Sequence, residues 1–211
     1  MSGPDLSQAY ALNGPEDCLR LYADWAQSYD GDFAAGMDYQ LPAHTAAGFA
    51  GMARPDGPVL DVGAGTGLLG LALRGLGIEA PLDGVDISPQ MLERAREKAI
   101  YRRLMLADIT RPLDPDETYA GVVSSGTFTH GHVGPEALPG LLAIARPGAA
   151  FALSVNAGVW QAKGFAEALE GLGRTIHGLA LHEVAIYGAG VAQRDPAHAG
   201  DRALILRFHK R

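Results

Sequence analysis

At 211 residues the chain has room for one α/β domain with a short appendage, which excludes two full domains. Hydrophobic residues at 47% and charged residues at 19% exclude a disordered or coiled-coil protein. A formal net charge of -7 sets a polyanionic partner against net repulsion, so nucleic acid is not an expected partner.

Residues 1–57 read as helical and stand outside the alternation that follows. Leu19, Tyr22, Trp25, Ala26 and Tyr29 recur at three- and four-residue spacing, which sets two tyrosines and a tryptophan on one face. Such a face packs on the core, and it can also close over a ligand. From residue 58 short β-branched runs alternate with helical patterns, the signature of a sheet built from βα units. Residues 58–62 predict a buried first strand that enters a glycine-rich turn and then a helix over 68–76. Residues 81–86 predict a second strand. Ser88 then supplies an N-cap and Pro89 the first helical position of a helix reaching about residue 100.

A short third strand follows over 103–106, and 108–118 is polar, proline-containing loop. Residues 119–125 predict a fourth strand, and Gly134-Pro135-Glu136 opens another helix. Pro147-Gly148 turns the chain into a fifth, central strand over 150–155. After a helix over 164–172, residues 179–187 and 202–208 read as two strands, most easily antiparallel. Their connecting loop holds Gly188, Gly190, Asp195 and Pro196.

The chemistry centres on Leu60-Asp61-Val62-Gly63-Ala64-Gly65-Thr66-Gly67, a strand ending in an acid and entering a turn of alternating glycines. Bare backbone there lets a bound nucleoside approach, at the crevice where wound sheets bind ligands. Residues 65–70 also spell G-x-G-x-x-G, the dinucleotide fingerprint. Asp86, about twenty residues on, suits ribose hydroxyls in either case. Three features favour S-adenosylmethionine (SAM) over NAD. Asp61 suits a cationic amino-acid end and would repel a pyrophosphate. Asp108 can accept from an adenine amino group. The last two strands are antiparallel, where a dinucleotide domain would repeat a βαβαβ half.

With V-L-D-V-G-A-G-T-G, G-V-D-I-S-P-Q-M-L, A-D-I and the R-P-G turn, the chain resembles the class I SAM-dependent methyltransferases over about 58–208. The resemblance implies an α/β, Rossmann-like, mostly parallel seven-stranded sheet with an antiparallel last strand and helices on both faces. It further implies an N-terminal helical cap over 1–57 and a SAM-binding domain over 58–211. Asp61, Gly63, Ala64 and Gly65 are then expected at the methionine moiety, Asp86 at the ribose, Ile87 at the adenine, and Asp108 and Ile109 at the adenine edge. Met91 and Ser125 complete the expected cofactor contacts.

The segment from Tyr22 to Asp30 is similar to the W-A-x-x-Y-D stretch of small-molecule members, including a family related to the Williams-Beuren region methyltransferase-like protein. The likeness makes Tyr22 and Tyr29 candidates for the carboxylate end of SAM. Where base and amide N-methyltransferases carry an acid or Asn before Pro-Pro-aromatic, this chain has Ser124-Ser125-Gly126-Thr127-Phe128. The acidic cluster of a magnesium-dependent catechol enzyme is also missing from the sequence. The expectation is therefore metal-free methyl transfer to a small molecule.

His130 and His132, with Thr127 and Thr129 nearby, are the candidate catalytic residues, since histidine can deprotonate a nucleophile near neutral pH. Capping of the next helix is the competing role. Trp160 either lines an acceptor pocket or packs. Competing functions are a SAM-binding regulatory protein without catalysis and an NAD-linked oxidoreductase.

The basic run of Arg94, Arg96, Lys98, Arg102 and Arg103 is interrupted by Glu93 and Glu97 and reads as a solvated helix face. Cys18 is the only cysteine, so an intrachain disulfide and a cysteine-based structural zinc site are excluded. Asp5, Glu16 and Asp17 precede no apolar leader, and the apolar stretch around 141–155 is broken by Arg146-Pro147. A cytoplasmic monomer or homodimer without membrane contact is expected.

Overall fold

The computed structural model describes residues 15–26 and 28–211; the helical expectation for residues 1–14 and Gln27 lies outside the described residues. Helix α1 spans Pro15–Trp25, a π-helical segment Tyr29–Ala35, and α2 Leu41–Ala50. The alternating part comprises β1 Val59–Val62, α3 Leu68–Gly75, β2 Leu82–Asp86, α4 Pro89–Glu97 and β3 Arg103–Leu106. It continues with β4 Tyr119–Phe128, a 3-10 turn Pro135–Ala137 leading into α5 Leu138–Ala143, and β5 Ala145–Asn156. The last elements are α6 Ala157–Trp160, α7 Phe165–Gly171, β6 Ile176–Ala185, α8 Val191–Arg194 and β7 Arg202–Lys210.

The seven strands form one sheet in the order β3-β2-β1-β4-β5-β7-β6. All neighbours are parallel except β7, which runs antiparallel to both β5 and β6. Strand order reverses between β1 and β4, so the crevice beyond their carboxyl ends is the natural ligand site of such a sheet.

Successive strand residues face opposite sides, and both sides are covered. Leu60 and Val62 enter a core with Leu138, Leu141, Phe165 and Leu169, whereas Val59 enters one with Ala46, Phe49, Leu69 and Leu73. Helix α2 thus belongs to the core. The Phe49 ring sits so close over Gly121 of β4 that a Cβ there would lie 2.5 Å from it. Burial of one such phenylalanine contributes about 1.5–3 kcal/mol. Asp83, the buried acid of β2, is satisfied by the Arg102 guanidinium at 2.9 and 2.8 Å and by the Tyr119 hydroxyl at 3.1 Å.

Several boundaries differ from the sequence expectation. Helix α4 stops at Glu97, because Ala99 takes φ +53 and redirects the chain toward β3. Pro147-Gly148 lies inside β5: Tyr119 already pairs with Ala145, and the irregularity is absorbed as a register shift, with Gly148 at φ +78. A second shift, at Gly126 with φ +80, carries β4 on to Phe128. The loop between β6 and β7 contains the short α8. The Ser88 cap is as read, its Oγ accepting from Met91 N.

The segment before α2 is stitched to the far end of the sheet. Tyr39 forms an antiparallel bridge with Tyr187, and Gln40 N donates to Ile186 O at 2.9 Å. Phe33 and Leu41 pack with Val184, Ile186 and Ile205. Among the described residues no helix is long and apolar enough to cross a membrane.

Candidate active site

A cavity of about 330 Å³ opens at the carboxyl ends of β1, β2 and β4. Its floor is the turn after β1. Gly63 has φ +66, and a Cβ there would lie 2.0 Å from Thr127 Oγ1, so only glycine lets the turn pass under β4. At Gly65, φ is +54 and a Cβ would find open space, leaving bare backbone facing the cavity. The Gly65 N–H donates to Asp86 Oδ2 and the Ser88 N–H to Asp86 Oδ1, both at 2.8 Å. Burial raises the Asp86 pKa, and these backbone donors oppose the rise. Each oxygen keeps a second lone pair, which fits the paired hydroxyls of a ribose.

Of the fourteen residues singled out from the sequence, twelve line this cavity: Tyr22, Tyr29, Gly63, Ala64, Gly65, Asp86, Ile87, Met91, Asp108, Ile109, Ser125 and His132. Asp108 is anchored by the Thr110 N–H at 2.9 Å and the Thr110 hydroxyl at 2.7 Å; these bonds lower its pKa. Ser125 Oγ is buried in the cavity wall beside the Tyr39 hydroxyl, with which it makes no hydrogen bond of full geometry.

Two singled-out residues lie elsewhere. Asp61 is buried behind the turn, where the Tyr101 hydroxyl donates to its Oδ2 at 2.6 Å while Oδ1 has no partner. His130 points toward the start of α6, its Nε2 2.9 Å from where a Cβ of Gly158 would be. Trp160 stacks on Phe165 with centroids 5.7 Å apart and packs against the core.

Other residues at the site were not among the candidates singled out from the sequence. Tyr39 lines the cavity, and burial pushes its pKa up to about 12. Asp30 ties three remote segments together, accepting from Thr66 Oγ1 and from Lys98 Nζ, each at 2.5 Å. Its place as the closing acid of the W-A-x-x-Y-D stretch was the sequence signal that pointed to it. A smaller chamber of about 50 Å³ adjoins the cavity and shares Tyr22, Tyr29, Tyr39, Gly126 and His132 with it. Its further walls include Trp25, Phe33, Phe128, Ser154, Asn156 and Tyr187.

The His132 ring is held on both sides. Its Nδ1 lies 2.6 Å from the His130 carbonyl oxygen and its Nε2 3.1 Å from the Tyr22 hydroxyl. Lys163 Nζ donates to the His132 carbonyl at 2.6 Å and to that of Thr129 at 3.3 Å, fixing the loop. Burial, with the nearby Lys163 and His130 charges, lowers the His132 pKa, and its bond to the His130 carbonyl opposes this.

Comparison with known proteins adds four likenesses. Residues 59–148 match the family model described as a methyltransferase domain. The human methyltransferase-like protein 27 is 35% identical over 159 residues, 72% of this chain, and the chain spans 60% of that relative's length. Among solved structures, a TehB-like SAM-dependent methyltransferase from Corynebacterium glutamicum superposes with a TM-score of 0.61 at 22% identity, covering 90% of this chain and 98% of that one. The Haemonchus contortus phosphoethanolamine N-methyltransferase 2 superposes with a TM-score of 0.65 at 12% identity, covering 92% and 58%. At these identities the two structures share the fold.

Proposed function

Because this chain belongs to the class I SAM-dependent methyltransferase superfamily, we propose that it transfers the methyl group of SAM to a small-molecule acceptor. The observation that carries the reading is the half-buried Asp86, oriented by the Gly65 and Ser88 amides beside bare backbone in a cavity of nucleoside size. SAM supplies a methyl group already made electrophilic by its sulfonium, so no Lewis acid is needed and the reading includes no metal.

In this reading Asp86 takes the ribose hydroxyls, Ile87 and Met91 pack on the adenine, and Asp108 and Ile109 meet its edge. Gly63, Ala64 and Gly65 border the methionine moiety. The Ser125 hydroxyl faces the ligand, and Tyr29 closes over it from the cap. Asp61 acts from behind the turn, through Tyr101. The acceptor occupies the smaller chamber, and His132 on the shared wall serves its proton. The chain's task is orientation and exclusion of water, which can lower a barrier by roughly 7–11 kcal/mol. We assign cofactor binding to residues 58–211 and the cap to the part of 1–57 that precedes the core helix α2, with Tyr22, Tyr29 and Tyr39 of the cap and Pro42 of α2 in the cavity wall. A cytoplasmic monomer or homodimer belongs to the same proposal.

Thermal unfolding with S-adenosylhomocysteine (SAH), SAM and NAD tests the donor. SAH at about 100 times its dissociation constant stabilises by roughly 2.7 kcal/mol, and Asp86→Ala abolishes the effect. Stabilisation by NAD alone would refute the reading. Release of SAH during a metabolite screen separates catalysis from binding without turnover.

A further inference from the structure

Tyr22 and His132 border both chambers and are hydrogen-bonded to each other across 110 residues of sequence. The direction of that bond follows from the other side of the ring. A carbonyl oxygen only accepts, so His132 Nδ1, 2.6 Å from the His130 carbonyl, carries a proton. In the neutral imidazole Nε2 is then a bare lone pair, and the Tyr22 hydroxyl must be the donor across 3.1 Å. A phenolic oxygen has two lone pairs besides its one proton, so a group in the chamber can donate to Tyr22 while Tyr22 donates to His132.

The walls limit what that group is. Among the described residues lining either chamber there is no lysine and no arginine. A carboxylate or phosphate acceptor would leave water with no side-chain cation to meet it, only the sulfonium that the reaction consumes. The smaller chamber is enclosed by the Tyr22, Trp25, Phe33, Tyr39 and Tyr187 rings, with the Ser154 hydroxyl and Asn156 amide as polar points. Such walls accept an uncharged head group and desolvate it.

We infer that Tyr22 and His132 form a two-step proton relay serving an acceptor whose nucleophilic atom carries a proton, an amine or a hydroxyl. The inference rests on the methyltransferase reading above. The acceptor N–H or O–H gives its proton to the Tyr22 oxygen as the Tyr22 proton passes to His132 Nε2, leaving a neutral tyrosine and an imidazolium. A lone pair of the acceptor atom forms the new bond to the methyl carbon, and the proton shed through Tyr22 leaves the methylated atom uncharged. The bond from that carbon to sulfur breaks with its pair staying on sulfur, which becomes an uncharged thioether. The groups that bear on the His132 charge are Tyr22 from α1, His130 of its own loop, Lys163 after α6, and Glu136 in the cavity wall. Burial above all, and Lys163 beside it, oppose protonation of the ring, so the imidazolium is transient and passes its proton on to water.

The tautomer is read without any acceptor. Imidazole nitrogen-15 shifts of the full chain with SAH should show His132 protonated at Nδ1 and bare at Nε2, and Tyr22→Phe should move the Nε2 signal. A proton found on Nε2 overturns the relay. The class of acceptor is read by SAH release from matched primary amines, phenols and alcohols, and carboxylic acids. Turnover of amines or hydroxyl compounds is expected, the split between them naming the atom; turnover confined to carboxylic acids overturns it.

With the best acceptor, Tyr22→Phe and His132→Asn should each lower kcat by about 100-fold or more and flatten the acid limb of its pH profile. The fall in kcat should far exceed any rise in the KM for SAM, so the loss lies in the proton step and not chiefly in cofactor binding. Unchanged kcat and pH profile in Tyr22→Phe overturn the relay while leaving methyl transfer standing. Failure of SAH to stabilise the wild type removes the methyltransferase reading itself, whatever the tautomer.

Discussion

Asp61→Asn should make the protein more stable above neutral pH, although it alters a glycine-motif acid. Asp61 is 1% exposed, with Tyr101 on one oxygen and nothing on the other. Burial pushes its pKa from 3.8 up to about 7; the Tyr101 hydrogen bond opposes this and the charge of Asp86 adds to it. Because the folded-state value lies above the unfolded one, the folded protein holds a proton in this window that the unfolded chain has released. Stability contributed by this group is therefore present at low pH and lost as pH rises from 3.8 to about 7.

At about 1.36 kcal/mol per pH unit, the loss between pH 5 and the upper end of the window is on the order of 3 kcal/mol. Asparagine still accepts from Tyr101 and does not titrate. Its amide leaves one buried N–H group unpaired, a constant penalty of about 1–3 kcal/mol at every pH. Relative to wild type the variant should thus gain on the order of 3 kcal/mol between pH 5 and pH 8, or about 6–12 °C in Tm. Urea and thermal unfolding of both proteins at four pH values measure this difference. Parallel stability profiles would refute the account of Asp61 as a buried, strained charge.

Two further outcomes follow from the geometry. Gly63→Ala should cost about 2–3 kcal/mol, from a left-handed alanine and from displacing Thr127 Oγ1 from the Val62 carbonyl at 3.0 Å. Thr127→Ala in the same chain should recover part of that cost in urea unfolding, and an additive double mutant would contradict the steric cause. Asp30→Asn weakens the ties to Lys98 and Thr66, worth about 1–2 kcal/mol together because Asp30 is partly exposed. SAH dissociation measured by stopped flow should quicken about 5- to 30-fold, and an unchanged rate would show that the cap does not gate the cavity.

The glycine turn, Asp86 and the Ser88 cap were legible because each is a local device: a chain of a few residues must bend, present an acid or begin a helix in one way. The βα alternation and the antiparallel final pair were legible for the same reason, whereas the order of the strands across the sheet came only with the structure. What depends on distant segments was not legible. Sequence spacing set Tyr22 and Tyr29 on one helix face, but the chain leaves α1 at Trp25 and enters a π-helical segment that brings Tyr29 within 6.3 Å of Tyr22.

The residues alone determined a wound α/β sheet with a nucleoside crevice at its first turn, because hydrophobic period, glycine and proline act over single turns of chain. Only the tertiary structure decided that His132, not His130, faces the cavity, that Asp61 stands behind the turn, and that Asp30 and Tyr39 belong to the site. Those outcomes depend on which loops the packed sheet brings together, and on how the chain disposes of buried polar groups that no local pattern records.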